Sequence, residues 1–241
     1  MKTPLVSIII PTLNAGKTLR TALESIEYQS LKEIEVLIID GASSDNTIAI
    51  AEAFSALSLT LIEDPGSGVY DAINTGIRES HGWWLYFLGA DDCLADENVL
   101  QEMTQADSES QIIFGDVKYV NRVSMKIPEI HEGEFSSKLK WKNSLHHQGT
   151  IYRRDLFDGF RYNSEFKILA DYELNLASWL SGVQAFGLDK IVAYVDASGL
   201  SKNFNKALYA EELDMKRKYF GSRAMILQYI WVKLKYLWKR S

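Results

Sequence analysis

The sequence predicts an α/β chain with a mostly parallel central sheet flanked by helices, and three observations carry that expectation. Strand-like and helix-like segments alternate through the first hundred residues, the pattern of strand-helix-strand units wound into a parallel sheet. The strand segments are apolar along nearly their whole length, as strands covered on both faces are. The 241 residues, 46% hydrophobic and 24% charged, are enough for one substantial core and have an ordinary globular composition.

The elements follow in order. Residues 5–10 (Leu-Val-Ser-Ile-Ile-Ile) read as the first strand, which runs into Pro11-Thr12-Leu13-Asn14, and a helix is expected over about 17–30. Residues 35–40 form the second strand, Ser44 to Thr47 read as a loop and helix cap, and the helix continues over 48–56. A third strand over 59–62 leads to the loop Asp64-Pro65-Gly66-Ser67-Gly68 and a helix over 69–79. The run Trp83-Trp84-Leu85-Tyr86-Phe87-Leu88 is a fourth strand, and Gly89-Ala90-Asp91-Asp92 ends it on two adjacent carboxylates before a helix over 95–104.

In a parallel sheet those carboxylates sit at the carboxyl edge, where open α/β sheets place their ligands. Mg2+ and Mn2+ prefer oxygen ligands and bridge to substrate phosphates, so Asp91 and Asp92 read as a metal site for a diphosphate-carrying substrate. The competing reading makes them a loop or a helix N-cap. Asp40, at the end of the second strand, is placed to accept hydrogen bonds from a ribose or base, or to serve as a turn residue before Gly41. Asp71 is either a ligand or an acid favoured in a helix's first turn by the dipole. Neither Gly-x-Gly-x-x-Gly nor a Lys-containing phosphate loop follows the first strand, so any nucleotide is held by other means.

Charge divides the chain unevenly. From Lys202 onward ten Lys or Arg stand against three Asp or Glu, a net +7, which leaves residues 1–201 at −13 of the total −6. An acidic body argues against a nucleic-acid groove. The segment from Met225 to Arg240 mixes aromatics, aliphatics and Lys in the manner of an interfacial helix, so an anionic membrane surface is its expected partner and packing on the body or on a second subunit the alternative. No uncharged apolar run of about 18 residues offers a spanning helix. The single cysteine, Cys93, excludes an intramolecular disulfide, and Met1 leads into a strand pattern without a secretory signal, so a cytoplasmic location is expected.

The motifs Val6-Ser7-Ile8-Ile9-Ile10-Pro11-Thr12-Leu13-Asn14, Ile38-Ile39-Asp40-Gly41-Ala42-Ser43-Ser44-Asp45, Gly68-Val69-Tyr70-Asp71-Ala72-Ile73-Asn74 and Gly89-Ala90-Asp91-Asp92, in this order, resemble family 2 glycosyltransferases of the GT-A fold. The resemblance implies an inverting enzyme that takes a sugar from a nucleoside diphosphate, usually UDP, to an acceptor hydroxyl with help from Mn2+ or Mg2+. It further implies that Pro11, Thr12, Asn14 and Asp40 surround the base and ribose, that Asp71 and Ala90 lie near the donor, and that Asp91 holds the metal with Asp92 beside it. Gly89 stands where many members carry the first acid of Asp-x-Asp.

In the second half, His146-His147-Gln148-Gly149-Thr150-Ile151-Tyr152-Arg153 is similar to members that assemble O-antigen and exopolysaccharide. His147, Gln148 and Arg153 (or Arg154) are therefore expected on the phosphate or acceptor side. Ile168-Leu169-Ala170-Asp171-Tyr172-Glu173-Leu174 is similar to the family's acid motif, which makes Asp171 the general base, with Glu173 as the fallback and an N-cap of a helix over 172–180 as the alternative. An acceptor hydroxyl is a poor nucleophile until a carboxylate within about 3 Å takes its proton. The resemblance divides the chain into a transferase domain over 1–201, with a nucleotide-sugar half (1–100) and an acceptor half (101–201), and a helical tail over 202–241. A saccharide on polyprenyl diphosphate is the implied acceptor and the inner face of the cytoplasmic membrane the implied place of work. Two rivals stand beside this reading: a sugar-nucleotide pyrophosphorylase, disfavoured by Pro11-Thr12-Leu13-Asn14 where a basic Gly-rich loop belongs, and a non-catalytic scaffold or sugar-nucleotide-binding protein.

Overall fold

The computed structural model describes residues 3–66, 68–122, 127–197 and 206–240, with side chains as far as Leu237. Its strands are β1 (Val6–Thr12), β2 (Ile34–Asp40), β3 (Leu59–Glu63), β4 (Trp84–Phe87), β5 (Cys93–Leu94), β6 (Ile112–Val120), β7 (Ile130–His131), β8 (Thr150–Arg153) and β9 (Ala185–Asp196). Its helices are α1 (Leu19–Glu27), α2 (Thr47–Glu52), α3 (Val69–Glu79), α4 (Val99–Gln105), α5 (Ala170–Leu180), α6 (Lys206–Arg217) and α7 (Ser222–Arg240). The strands form one sheet in the order β3-β2-β1-β4-β8-β6-β9-β5, with β7 on β6.

The expected parallel sheet is realised in its first half, where β1 pairs in parallel with β2 and β4, and β2 with β3. Across the whole sheet the arrangement is mixed, because β8 runs antiparallel to both β4 and β6. Apolar residues at both phases of the pleat feed two cores. Ile9, Leu37, Ile39, Leu85 and Phe87 face one layer with α3 and α5, whereas Ile8, Ile10, Val36, Ile38, Trp84 and Tyr86 face the other with α1, α2 and α4, as the period of two requires. Leu19, Ala22, Leu23 and Ile26, all buried, are spaced to make one stripe of α1. Gly76 lets α3 sit close on β1, since a Cβ there would fall 2.4 Å from Ile9 Cγ2.

One expected boundary shifts. The helix expected from residue 95 begins at Val99, because Cys93 and Leu94 pair instead with Tyr194 and Ala193 of β9. Asp91 and Asp92 therefore cap no helix; Asn98 stands at that position. The expected division between body and tail at 201/202 lies outside the described residues, but packing does not separate the two parts. Leu208 and Met215 of α6 are buried in the same core as Ile9 and Phe87. Replacing Met215, which has no exposed surface, by Ala is expected to cost about 2–5 kcal/mol, read as a lower urea midpoint of the full chain.

α7 rests on α6 through buried Gln228 and Val232. The fully buried Lys216 Nζ ties the pair together, donating to Glu212 Oε1 (2.7 Å), Gln228 Oε1 (3.0 Å) and the Trp141 carbonyl (3.2 Å). Burial lowers the Lys216 pKa to about 8, against the pull of Glu212. The opposite face of α7 is apolar and exposed, formed by Ile226, Leu227, Ile230, Leu234 and Leu237, while Trp231 donates its Nε1–H to the Trp141 carbonyl. No helix among the described residues is long and apolar enough to cross a membrane.

Candidate active site

The parallel strands deliver their ends to one edge, and a cleft opens there. Its larger part, a cavity of about 640 Å3, is lined by Pro11, Asn14, Lys17, Gly89, Ala90 and Asp91 among others. Its other part, about 210 Å3, is lined by Tyr70, Asp91, Asp92, Lys167, Ile168, Asp171 and Asp196 among others. Val69, Ile73, Asp91, His147 and Gln148 line both, so the two parts form one continuous groove.

The first wall is made of two loops stitched together. Asn14 adopts a left-handed φ of 52°, which Asn tolerates better than most residues, and its Oδ1 accepts from the Ser44 amide at 2.9 Å while its own amide donates to Ser43 Oγ at 2.8 Å. Asp40 is only 1% exposed. Its Oδ1 accepts from Thr12 Oγ1 (2.8 Å) and Ser43 Oγ (2.6 Å), and its Oδ2 from the Ser43 amide (2.7 Å). Thr12 and Asp40, expected against base and ribose, are here the bolts between the loops, while Pro11 and Asn14 face the groove.

Asp91 and Asp92 converge at the foot of β4. A Cβ on Gly89 would lie 2.3 Å from Asp92 Oδ2 and 2.8 Å from Asp91 Oδ1, so the space of the missing first acid is taken by the two that remain. Asp92 is buried and its Oδ1 accepts from the Asp196 amide at 2.9 Å. Burial, then the Asp91 charge, pushes the Asp92 pKa up to about 7, and burial raises that of Asp91. Crowded, partly desolvated carboxylates with these shifts are a donor set that a hard divalent cation relieves, and the residues present fit one. Among the described residues no cluster of three or more His, Cys, Asp or Glu is grouped to hold a cation.

Across the groove, Asp171 lies in the first turn of α5, with Leu169 at the N-cap position; Asp171 is thus not the cap. Its Oδ2 accepts from Asn143 Nδ2 at 2.9 Å, and its Oδ1 is 3.1 Å from Tyr70 Oη, which also donates to the Ile168 carbonyl at 2.8 Å. Burial raises its pKa, and these partners offset only part of the rise. Glu173, the fallback base, is turned away: it is buried and its Oε1 accepts from Lys218 Nζ (2.9 Å) and Tyr219 Oη (3.1 Å).

His147 stacks on Phe87 at 4.7 Å between centroids, with Nε2 2.9 Å from Tyr162 Oη. Burial lowers its pKa to about 3, so the ring is neutral at physiological pH and offers the groove no positive charge. Gln148 holds Asp92 through its side chain. Arg153 departs from expectation: it pairs with Trp84, at the opposite end of β4 from the acids, and its guanidinium lies 4.3 Å over the Trp83 ring. Asp71 is also displaced, lining a neighbouring depression with Ser164, Phe166 and Lys167. Consecutive helical residues diverge by about 100°, so the turn that aims Tyr70 inward aims Asp71 aside.

Residues 7–161 match the family model described as Glycosyl transferase family 2. The chain belongs to glycosyltransferase family 2. A curated relative, the PGL/p-HBAD biosynthesis glycosyltransferase of Mycobacterium tuberculosis, is 32% identical over 237 residues, covering 94% of this chain and 90% of that protein. The uncharacterized glycosyltransferase EpsJ of Bacillus subtilis is 24% identical, over 78% of this chain and 59% of that one. Among solved structures, residues 1–349 of TarS from S. aureus in complex with UDP-GlcNAc superpose with a TM-score of 0.72 at 20% identity, covering 87% of this chain and 65% of that chain. The mannosyltransferase PcManGT from Pyrobaculum calidifontis, in complex with GDP-Man and Mn2+, gives 0.65 at 19% identity, over 99% of this chain and 72% of that one. These likenesses establish the GT-A fold.

The family 2 transferase thus draws its groove from residues the sequence marked and residues it did not. Tyr70 lies within the segment Gly68–Asn74, directly beside Asp71. Lys167, which lines the groove, and Asn143 and Tyr162, which hold Asp171 and His147 from behind it, carried no local signal. If Asp171 works ionised, Tyr70→Phe removes a partner that favours the charged form. The acid limb of the kcat profile is then expected to move to higher pH; an unmoved limb would detach Tyr70 from the titrating group.

Proposed function

We propose that this transferase moves a sugar from a nucleoside diphosphate, a UDP-sugar first, to a saccharide hydroxyl by a single inverting displacement. One observation carries the reading: Asp91 and Asp171 line the same groove, with Val69, Ile73, His147 and Gln148 as walls common to its donor and acceptor parts. Pro11, Asn14 and Ala90 line the nucleotide side. Asp171 takes the acceptor proton, the acceptor oxygen bonds to the anomeric carbon, and the bond from that carbon to the diphosphate breaks with both electrons leaving on the nucleotide. Asp91, with Asp92 beside it, would hold a divalent cation, which would supply charge neutralisation of the leaving diphosphate. The complexes of TarS with UDP-GlcNAc and of PcManGT with GDP-Man and Mn2+ support this donor class.

The acceptor is proposed to be carried on polyprenyl diphosphate, with the outward face of α7 resting on an anionic membrane. The apolar stripe of Ile226, Ile230, Leu234 and Leu237 points away from the body, and the chain from Lys202 is net +7, the pairing of area and charge that surface helices use. Ile230→Glu with Leu234→Glu, both at exposed positions, is expected to abolish sedimentation with phosphatidylglycerol vesicles while the melting temperature stays put. Vesicle binding equal to the parent's would remove the membrane from the reading.

The transfer itself is tested by incubating UDP-, GDP- and dTDP-sugars with Mn2+ or Mg2+ and measuring released nucleoside diphosphate, with EDTA alongside. Release from one donor, abolished by EDTA, is expected. Silence across the panel together with no donor binding by calorimetry would overturn it.

A further inference from the structure

The acid that serves as base is held by a helix outside the family-matched region. α5 carries Asp171, and the segment entering it, residues 167–169, has three successive backbone amides aimed at one side chain of α6. Glu211 Oε2 accepts from the Lys167 amide at 2.9 Å, and Oε1 accepts from Ile168 at 2.8 Å and Leu169 at 2.7 Å. Amides ahead of a helix are donors without intrahelical partners, and a carboxylate there is favoured by hydrogen bonding and by the helix dipole.

The contact leads into the site. Lys167 and Ile168 line the acceptor part of the groove. The Ile168 carbonyl accepts from Tyr70 Oη, which is itself 3.1 Å from Asp171 Oδ1. A second tether fixes the same helix further on, where Lys218 Nζ and Tyr219 Oη, just past α6, meet Glu173 Oε1. α5 is thus gripped from α6 and its end at two points that bracket Asp171, and its orientation depends on a helix that sequence reading assigned to an anchoring tail.

We propose that Glu211 is a positioning residue for transfer: by binding the amides of residues 167–169 it sets the acceptor wall and the placement of Asp171, making α6 a working part of the acceptor site. This rests on Asp171 being the base. Misplacement of a reacting group by about 1 Å costs on the order of 10²-fold in rate, and the donor side, lined by Pro11, Asn14 and Ala90, lies outside the contact.

The test uses the full chain with Glu211→Ala and, should that variant fold poorly, the near-isosteric Glu211→Gln. Hydrogen exchange at amides 167–169 should accelerate, and transfer kcat should fall by about 10²-fold, with the UDP dissociation constant unchanged. In an Asp171→Asn background, adding Glu211→Ala should cost little more, because the two act through one group. Faster exchange with parental kcat would overturn the proposal, as would equal losses in both backgrounds. The base reading fails separately: parental transfer by Asp171→Asn alone would remove it, whereas a dead Asp171→Asn beside a fully active Glu211→Ala sinks only the positioning role.

Discussion

Asp171→Asn is expected to lower transfer by about 10²–10⁴-fold, the range supplied by a positioned general base, while UDP binds as before. The change is well matched to the site. The substituted carboxamide can turn its oxygen to Asn143 Nδ2 and its amide to Tyr70 Oη, whose own hydrogen serves the Ile168 carbonyl. Stability should move the other way. The folded-state pKa of Asp171 is raised by burial, so its ionisation opposes folding and the stability it contributes is lost as pH rises through that value. At pH 7 the variant should melt no lower than the parent. Lost transfer with retained UDP binding and an undiminished melting temperature marks a base; a fall in melting temperature together with activity would mark a structural residue instead.

Asp91→Asn is expected to cost about 10²–10³-fold in kcat, the effect of removing one preorganised electrostatic stabiliser, and to weaken Mn2+ binding measured by calorimetry with UDP present. Asp91 is the acid that lines both parts of the groove, and burial raises its pKa too. By the same sign, the metal-free variant should be no less stable at neutral pH. Parental Mn2+ affinity in Asp91→Asn would move the cation to Asp92 or away from this pair.

How far the sequence could be read depended on whether a signal was local. β1, β2, β3, β4 and α3 were legible because apolar runs and stripes of the right period are local properties. The loop after β4 was legible as an edge of the groove because two acids directly follow an apolar strand, a pattern that a loop or helix cap also fits. The antiparallel β8 and the pairing of β5 with β9 were not, since register between segments far apart in sequence leaves no periodic trace. Asp40 was ambiguous for a related reason: a carboxylate at a strand end looks the same whether it faces a ribose or holds a turn, and here it bonds Thr12 and Ser43. Arg153 was drawn into the site by its nearness in sequence to His147, although a strand rising about 3.3 Å per residue carries it down β8 to the other end of β4. Glu211 was hidden inside a segment whose net charge and aromatics spoke of a surface.

The ladder from β3 to β5 runs through the whole sheet without a break, and β4 is bonded to the parallel β1 and the antiparallel β8 alike. The two halves of the sheet are therefore not lobes on a hinge, because parting them would tear backbone hydrogen bonds in the middle of the sheet. Asp91 and Asp92 sit between β4 and β5, each anchored to that same ladder. Substrates entering this groove would meet acids already in place on a continuous sheet, with the loop of residues 12–16 bonded to residues 43–45 and residues 167–169 bonded to Glu211.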